Sequence, residues 1–504
     1  MRIFTLLLAA AIAMPCLAAT SISNIPGTRG VRIVGQAGEA LGAHNITALG
    51  DVNGDGRADF ALGAPGAGRS GATFVGAAYV FFGRDGVLPD LDSASLNGVN
   101  GFKVTASALP AGSQFGGFTT GVGDVNNDGS ADLLIGSASG VGGLGKAYLI
   151  FGKPVGQSFP ASIDISNLGS AGVVFSGASN FDYFGFSSVS GGGDLNGDGV
   201  EDIAIGSGNF GNLNGIVHLI LGRSNWPAAM SVGTEPGTSV VSFTHQTAND
   251  QVGSYVSIGN DINNDGRAEL FINANGADAV GSSGEQGKLY VVFGRPANAP
   301  FASTQNLGAL DGSNGFQLVG TAPASAFGFP AVALGDFNGD GVGDFAASSS
   351  PSGGAGAMAL IYGKANWDAV NNISTLDGTD GTRFVGEASS TAGAYLAAPG
   401  DINGDGKDDL IVGAPTANTN AGKIYVIYGT AAALPADVNF NAVESTIAGE
   451  VFLGTPGFAA GPVSGVGKFS NVDLTPDFII ASENGQGAYL ITVQSSVFKN
   501  GFEN

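Results

Sequence analysis

Cysteine is nearly missing: the 504 residues contain one, Cys16. That rules out a disulfide scaffold, and it also rules out thiolate metal sites. Histidine is as scarce, with only His44, His218 and His245, too few for the imidazole sets that hold zinc or copper. Basic residues number 19 against 42 acidic ones, for a formal charge of −23. Such a surface repels phosphate backbones and anionic bilayers, so nucleic acid is excluded as a partner. Beyond the first 19 residues no run is long and apolar enough to cross a membrane. Catalytic signatures are missing as well. There is no Gly-x-Ser-x-Gly, no His-Glu-x-x-His and no Gly-Lys-Ser/Thr loop. The expectation is a binding protein rather than an enzyme.

What the chain does have is glycine, 86 residues of it, set between short runs of Val, Ile, Phe and Tyr. Many short strands joined by tight turns read this way. Residues 1–19 carry one basic residue, an apolar stretch and small residues at Ala18 and Ala19. They read as a signal peptide, which implies export to the periplasm, the cell surface or the medium. Cys16 falls inside that segment, and Pro15 before it argues against lipid attachment. An exported chain without disulfides needs another staple, and metal is the obvious one.

The metal has an evident seat. A nine-residue motif, Asp-x-Asn-x-Asp-Gly-x-x-(Asp/Glu), occurs six times, its starts 73, 70, 67, 75 and 65 residues apart. Positions one, three, five, seven and nine are the candidate ligands. In order they are Asp51, Asn53, Asp55, Arg57 and Asp59; Asp124, Asn126, Asp128, Ser130 and Asp132; and Asp194, Asn196, Asp198, Val200 and Asp202. The later copies are Asp261, Asn263, Asp265, Arg267 and Glu269; Asp336, Asn338, Asp340, Val342 and Asp344; and Asp401, Asn403, Asp405, Lys407 and Asp409. Position seven is expected to give its carbonyl, because its side chain varies. Hard oxygen donors on alternating residues suit calcium, about six ions in all. Gly56 and its five counterparts at position six allow the positive φ of a sharp turn. An EF-hand starts the same way, but it needs a bidentate Glu at position twelve. Leu62, Ile135, Ile205, Ile272, Ala347 and Val412 stand there instead. Positions one, five and nine of the motifs hold 18 of the 42 acidic side chains, so the acid clusters where ligands are expected.

Around each motif the same signals recur: an opening strand such as Gly101-Phe-Lys-Val-Thr105, the acidic loop, an apolar run, and a closing strand such as Tyr148-Leu-Ile-Phe-Gly152. Four strand-sized segments per repeat make one propeller blade. A worn seventh copy keeps Asn471, Asp473 and Asp477 but lacks the first Asp and the Gly. The expected architecture is all-β, a seven-bladed propeller over residues 20–494 with a tail at 495–504. If each opening strand belongs to the preceding blade, Gly30–Gly35 closes the ring; the sequence leaves that offset open.

Phe115-Gly116, Phe184-Gly185 and Phe327-Gly328 precede acidic loops, and Gly63-Ala-Pro65 and Gly413-Ala-Pro415 follow them. In these segments the chain resembles the FG-GAP repeats of integrin α-subunit propellers and their bacterial relatives. The resemblance implies an extracellular, calcium-holding propeller used in adhesion or ligand binding. Integrins carry such loops in only some blades, whereas six qualify here. The expected partner is an extracellular or cell-surface protein or glycan, and a monomer is expected. A lectin-like propeller is the alternative, followed by a secreted hydrolase with an unmotifed carboxylate pair. His218 fills a slot where four repeats have Tyr, so it reads as packing. Trp226 and Trp367 read as packing too, and Asn45 and Asn372 fit glycosylation sequons.

Overall fold

The computed structural model describes residues 19–492 except 23–24, 26–29, 44, 68–74, 87, 138–144, 179–182, 186–187, 209–213, 246, 248, 278–285, 321–326, 350–353, 471–474 and 483–486. The expected signal segment (but for Ala19), the C-terminal tail, His44, Asn471 and Asp473 lie outside the described residues. Within them the strands form seven five-stranded sheets. The first blade runs outward from Ile46–Gly50 through Asp59–Ala64, Ala77–Phe81 and Gly101–Thr105, all antiparallel neighbours. The innermost strands of successive blades touch in a closed cycle, with Ile46–Gly50 packing against both Phe118–Gly123 and Ala460–Gly467. The fold is therefore a seven-bladed β-propeller.

The offset left open by the sequence resolves in favour of the preceding blade. Gly30–Val34 pairs with Ala488–Ile491, so the start of the chain supplies the fourth strand of the last blade. Thr20–Ser21 goes further and pairs with Gly449–Leu453 of the sixth blade. Closing the ring this way pairs the edge that Ala488–Ile491 would otherwise leave open to other chains.

A fifth strand in each sheet was not anticipated. It is only two or three residues long, as in Ser162–Asp164, and runs parallel to the fourth. Its sequence signal is faint but real. Asp92, Asp164, Asn306, Asn372 and Asn439 end such strands and cap the 3-10 turns that follow, each accepting a hydrogen bond from an amide two residues on.

The core is divided rather than single. Seven clusters of buried side chains occur, each shared by two neighbouring blades; Phe60, Tyr79, Ile479 and Leu490, for example, bridge the first blade and the last. Second strands such as Asp59–Ala64 and Asp132–Ser137 are buried along their whole length, which is why they read as continuous apolar runs rather than alternating ones.

Candidate metal centres

Each acidic motif links the innermost strand of a blade to the second, so all six loops lie at one end of the axis. The chain turns tightly there because the first aspartate gathers the amides beyond it. Asp51 accepts from Asp55 N at 3.1 Å through Oδ1 and from Gly56 N at 2.6 Å through Oδ2. The same pair of bonds is formed by Asp124, Asp194, Asp261, Asp336 and Asp401. The asparagine at position three accepts from the position-five amide at 2.8–3.0 Å, as Asn53, Asn126 and Asn403 do. The position-five carboxylate then accepts from the position-seven amide, as in Asp55 with Arg57 N at 3.0 Å. The glycine at position six has φ between 84° and 92° in all six loops, and a Cβ there would meet nothing within 4 Å. Backbone conformation alone therefore demands glycine.

Position nine behaves differently from the rest. Asp59, Asp132, Asp202, Glu269, Asp344 and Asp409 are fully buried where the second strand begins. Asp59 accepts from Val52 N at 2.9 Å with one oxygen and from Gly83 N at 2.8 Å with the other, pinning the loop to the end of the third strand. Burial, together with the facing carboxylates of positions one and five, pushes Asp132 and Asp409 up to about 8 and Asp202 up to about 7. Glu269 rises to about 9 for the same reasons.

The fourth loop is distinct. Oxygens of Asp261, Asp265 and Glu269 lie within 4.8 Å of one another, the only such acidic group among the described residues. The longer Glu269 side chain holds Ile262 N at 2.9 Å through Oε2, while its buried Oε1 has no hydrogen-bond partner. A cation is what would satisfy an orphaned buried carboxylate oxygen beside two more carboxylates. The donors are all oxygens, so the residues fit a hard divalent ion. Three position-seven side chains are basic and pair with carboxylates: Arg57 with Asp85, and Arg267 and Lys407 with their own position-five carboxylates at 3.3 and 3.6 Å. Ser130, Val200 and Val342 have no charge to offer.

Two functional carboxylates at position eight escaped the sequence reading. Glu201 accepts from Asp124 N of the neighbouring blade, and Asp408 Oδ2 accepts from Asp336 N at 2.8 Å. An acid at position eight occurs only in the third and sixth loops, and that was the available signal.

The remaining candidates are packed in. His218 is 4% exposed, with Nδ1 3.1 Å from Ser242 Oγ, and burial lowers it to about 4. Trp226 donates to Val125 O at 3.1 Å, and Trp367 stacks on Phe316 with ring centres 4.1 Å apart. Asn45 accepts from Thr119 N at 2.9 Å across a blade boundary, and Asn372 caps a turn.

Comparison with known proteins agrees with this geometry. The family described as FG-GAP repeat matches residues 45–81, 185–220 and 393–427, which run from the innermost to the third strand of the first, third and sixth blades. Integrin alpha-PS2 of Drosophila melanogaster is 26% identical over 55% of the chain and 17% of its own length. Phosphatidylinositol-glycan-specific phospholipase D of Bos taurus is 31% identical over 38% of the chain and 22% of its own. Integrin alpha-6 of Gallus gallus is 31% identical over 31% of the chain and 12% of its own. The matches thus cover less than a quarter of each of these relatives.

Proposed function

We propose that this seven-bladed FG-GAP propeller of the integrin-α type is an extracellular, calcium-stabilised binding module that attaches to cell-surface or matrix material. The carrying observation is the fourth loop, where three carboxylates converge and Glu269 Oε1 is buried without a partner. The other five loops repeat the same turn, which supports one calcium ion per loop, about six in all. Positions one, three, five and nine would give side-chain oxygens, and position seven its carbonyl. Calcium at such sites supplies positive charge where burial and like charge otherwise resist ionisation. Extracellular calcium is abundant enough to fill weak sites, in keeping with export through residues 1–19.

The two kinds of relative suggest different roles, one in integrins and one in a phospholipase. Binding is favoured over catalysis because the cavity on the propeller axis has no carboxylate among its described lining residues. No helix among the described residues is long and apolar enough to cross a membrane. The test is adhesion of purified protein to immobilised envelope and matrix preparations, in millimolar calcium and after chelation. Calcium-dependent retention is expected. No retention by calcium-loaded, folded protein would overturn the reading.

A further inference from the structure

The innermost strands all enter the axis at one end and leave it at the acidic loops, and the entrance holds a cavity of about 380 Å³. All seven blades line it, most through residues just ahead of or early in their innermost strands, so it opens toward the end opposite the acidic loops, with Tyr255–Ile258 reaching further along the axis. None of its described lining residues is acidic, basic or histidine. In a chain with 42 acidic residues that is an unusual concentration of neutrality, and it disfavours any ligand that must be recognised through charge.

The lining is not simply apolar. Thr47, Thr120, Ser190 and Ser257 occupy one register, each opposite the residue two places after the start of the second strand. Thr47 donates to Ala48 O at 3.0 Å and Thr120 to Gly121 O at 3.1 Å, which leaves their oxygens free to accept. Ser190 Oγ accepts from Ile258 N of the next blade at 2.9 Å, which leaves its proton free to donate. Uncharged hydroxyls able to accept or donate thus line the arc formed by the first four blades. Beside them Tyr255 and Phe329 meet edge to face with ring centres 5.6 Å apart, and Phe329 is 41% exposed.

An arc of hydroxyls next to an exposed aromatic face matches a sugar, whose rim of hydroxyls surrounds a C–H face that packs on rings. The cavity is near the small end of the range for ligand sites, roughly 300–1,000 Å³, so one or two sugar rings fill it. We propose that the axial entrance binds the neutral terminus of a glycan, with the arc of hydroxyls reading its edge and Phe329 packing on its face. This deepens the binding-module reading and rests on it. It also separates the roles of the two ends: the acidic loops hold the blades together, and the far end makes contact.

The calcium-loaded chain, with Phe329→Ala and Thr120→Val variants, is screened on an array of neutral and acidic glycans, with melting curves confirming the fold. Neutral hits are expected, at least tenfold weaker in both variants, with acidic glycans silent. No neutral hit, or neutral binding unchanged in both folded variants, overturns the proposal. If glycans fail but the protein still adheres to envelope or matrix protein, the binding-module reading survives and this site does not. If both fail, both are wrong.

Discussion

Val52 donates its amide to the carboxylate of Asp59, seven residues on, at 2.9 Å. The bond recurs in every blade: Val125 with Asp132, Leu195 with Asp202, Ile262 with Glu269, Phe337 with Asp344, Ile402 with Asp409 and Ser470 with Asp477. The last pair stands in the worn blade, whose loop has lost its first aspartate. Position nine therefore shapes the hairpin whether or not a metal loop is present. The aspartate at position one belongs to the six acidic loops alone.

Those two roles separate by mutation. Asp477→Ala removes the acceptor of Ser470 N and Ser470 Oγ, and stability should fall by about 2–4 kcal/mol, with the calcium count unchanged. Asp51→Ala should lower the count by one ion. Denaturant titration with metal analysis reads both. A lower calcium count in the Asp477 variant would refute the division.

Gly123 lies against the carboxylate of Glu201, and a Cβ there would overlap it. Gly123 also has φ 70°, which costs any other residue about 1 kcal/mol. Gly123→Ala should therefore cost more than that alone, and Glu201→Ala should relieve part of the excess. A double-mutant cycle showing strictly additive losses would show that the two residues do not interact.

How legible was this in the sequence? The acidic loops spell out their own geometry within nine residues, so the turn was readable. The blade count followed from the period. The offset was not readable, because Gly30–Val34 finds its partner at Ala488–Ile491, at the opposite end of the chain. Strands of two or three residues leave almost no periodic signal. The axial entrance was invisible for another reason: Thr47, Thr120, Ser190 and Phe329 lie far apart in the chain and meet only when the ring closes.

His218 should make stability sensitive to acid. Burial holds its folded value at about 4, below the ordinary value of 6.5. Between those limits the unfolded chain binds the extra proton. The contribution is therefore intact above about pH 6.5 and is lost as pH falls toward 4, reaching about 3 kcal/mol. Tyr occupies this slot at Tyr79, Tyr148, Tyr290 and Tyr425. His218→Tyr should narrow the stability gap between pH 7 and pH 4 relative to the parent. Equal gaps in urea titrations of the two proteins would contradict the assignment.

Deleting residues 19–34 removes the fourth strand of the last blade and leaves Ala488–Ile491 as an unpaired edge. The shortened protein should aggregate or melt far earlier, as light scattering and calorimetry would record. A monomer of unchanged melting temperature would show that the latch is dispensable.

Calcium in the six acidic loops is expected to hold the ring together. At a Kd near ~10⁻⁴ M and external calcium of ~1 mM, each loop contributes about 1.4 kcal/mol, roughly 8 kcal/mol over six independent loops. That rivals the whole stability of an ordinary domain. The direct measurement is calcium per chain by metal analysis after gel filtration, followed by melting of the same sample before and after chelation. Close to six ions and a large drop in melting temperature on their removal are expected. A metal-free protein, or one that melts at the same temperature once stripped, would contradict that.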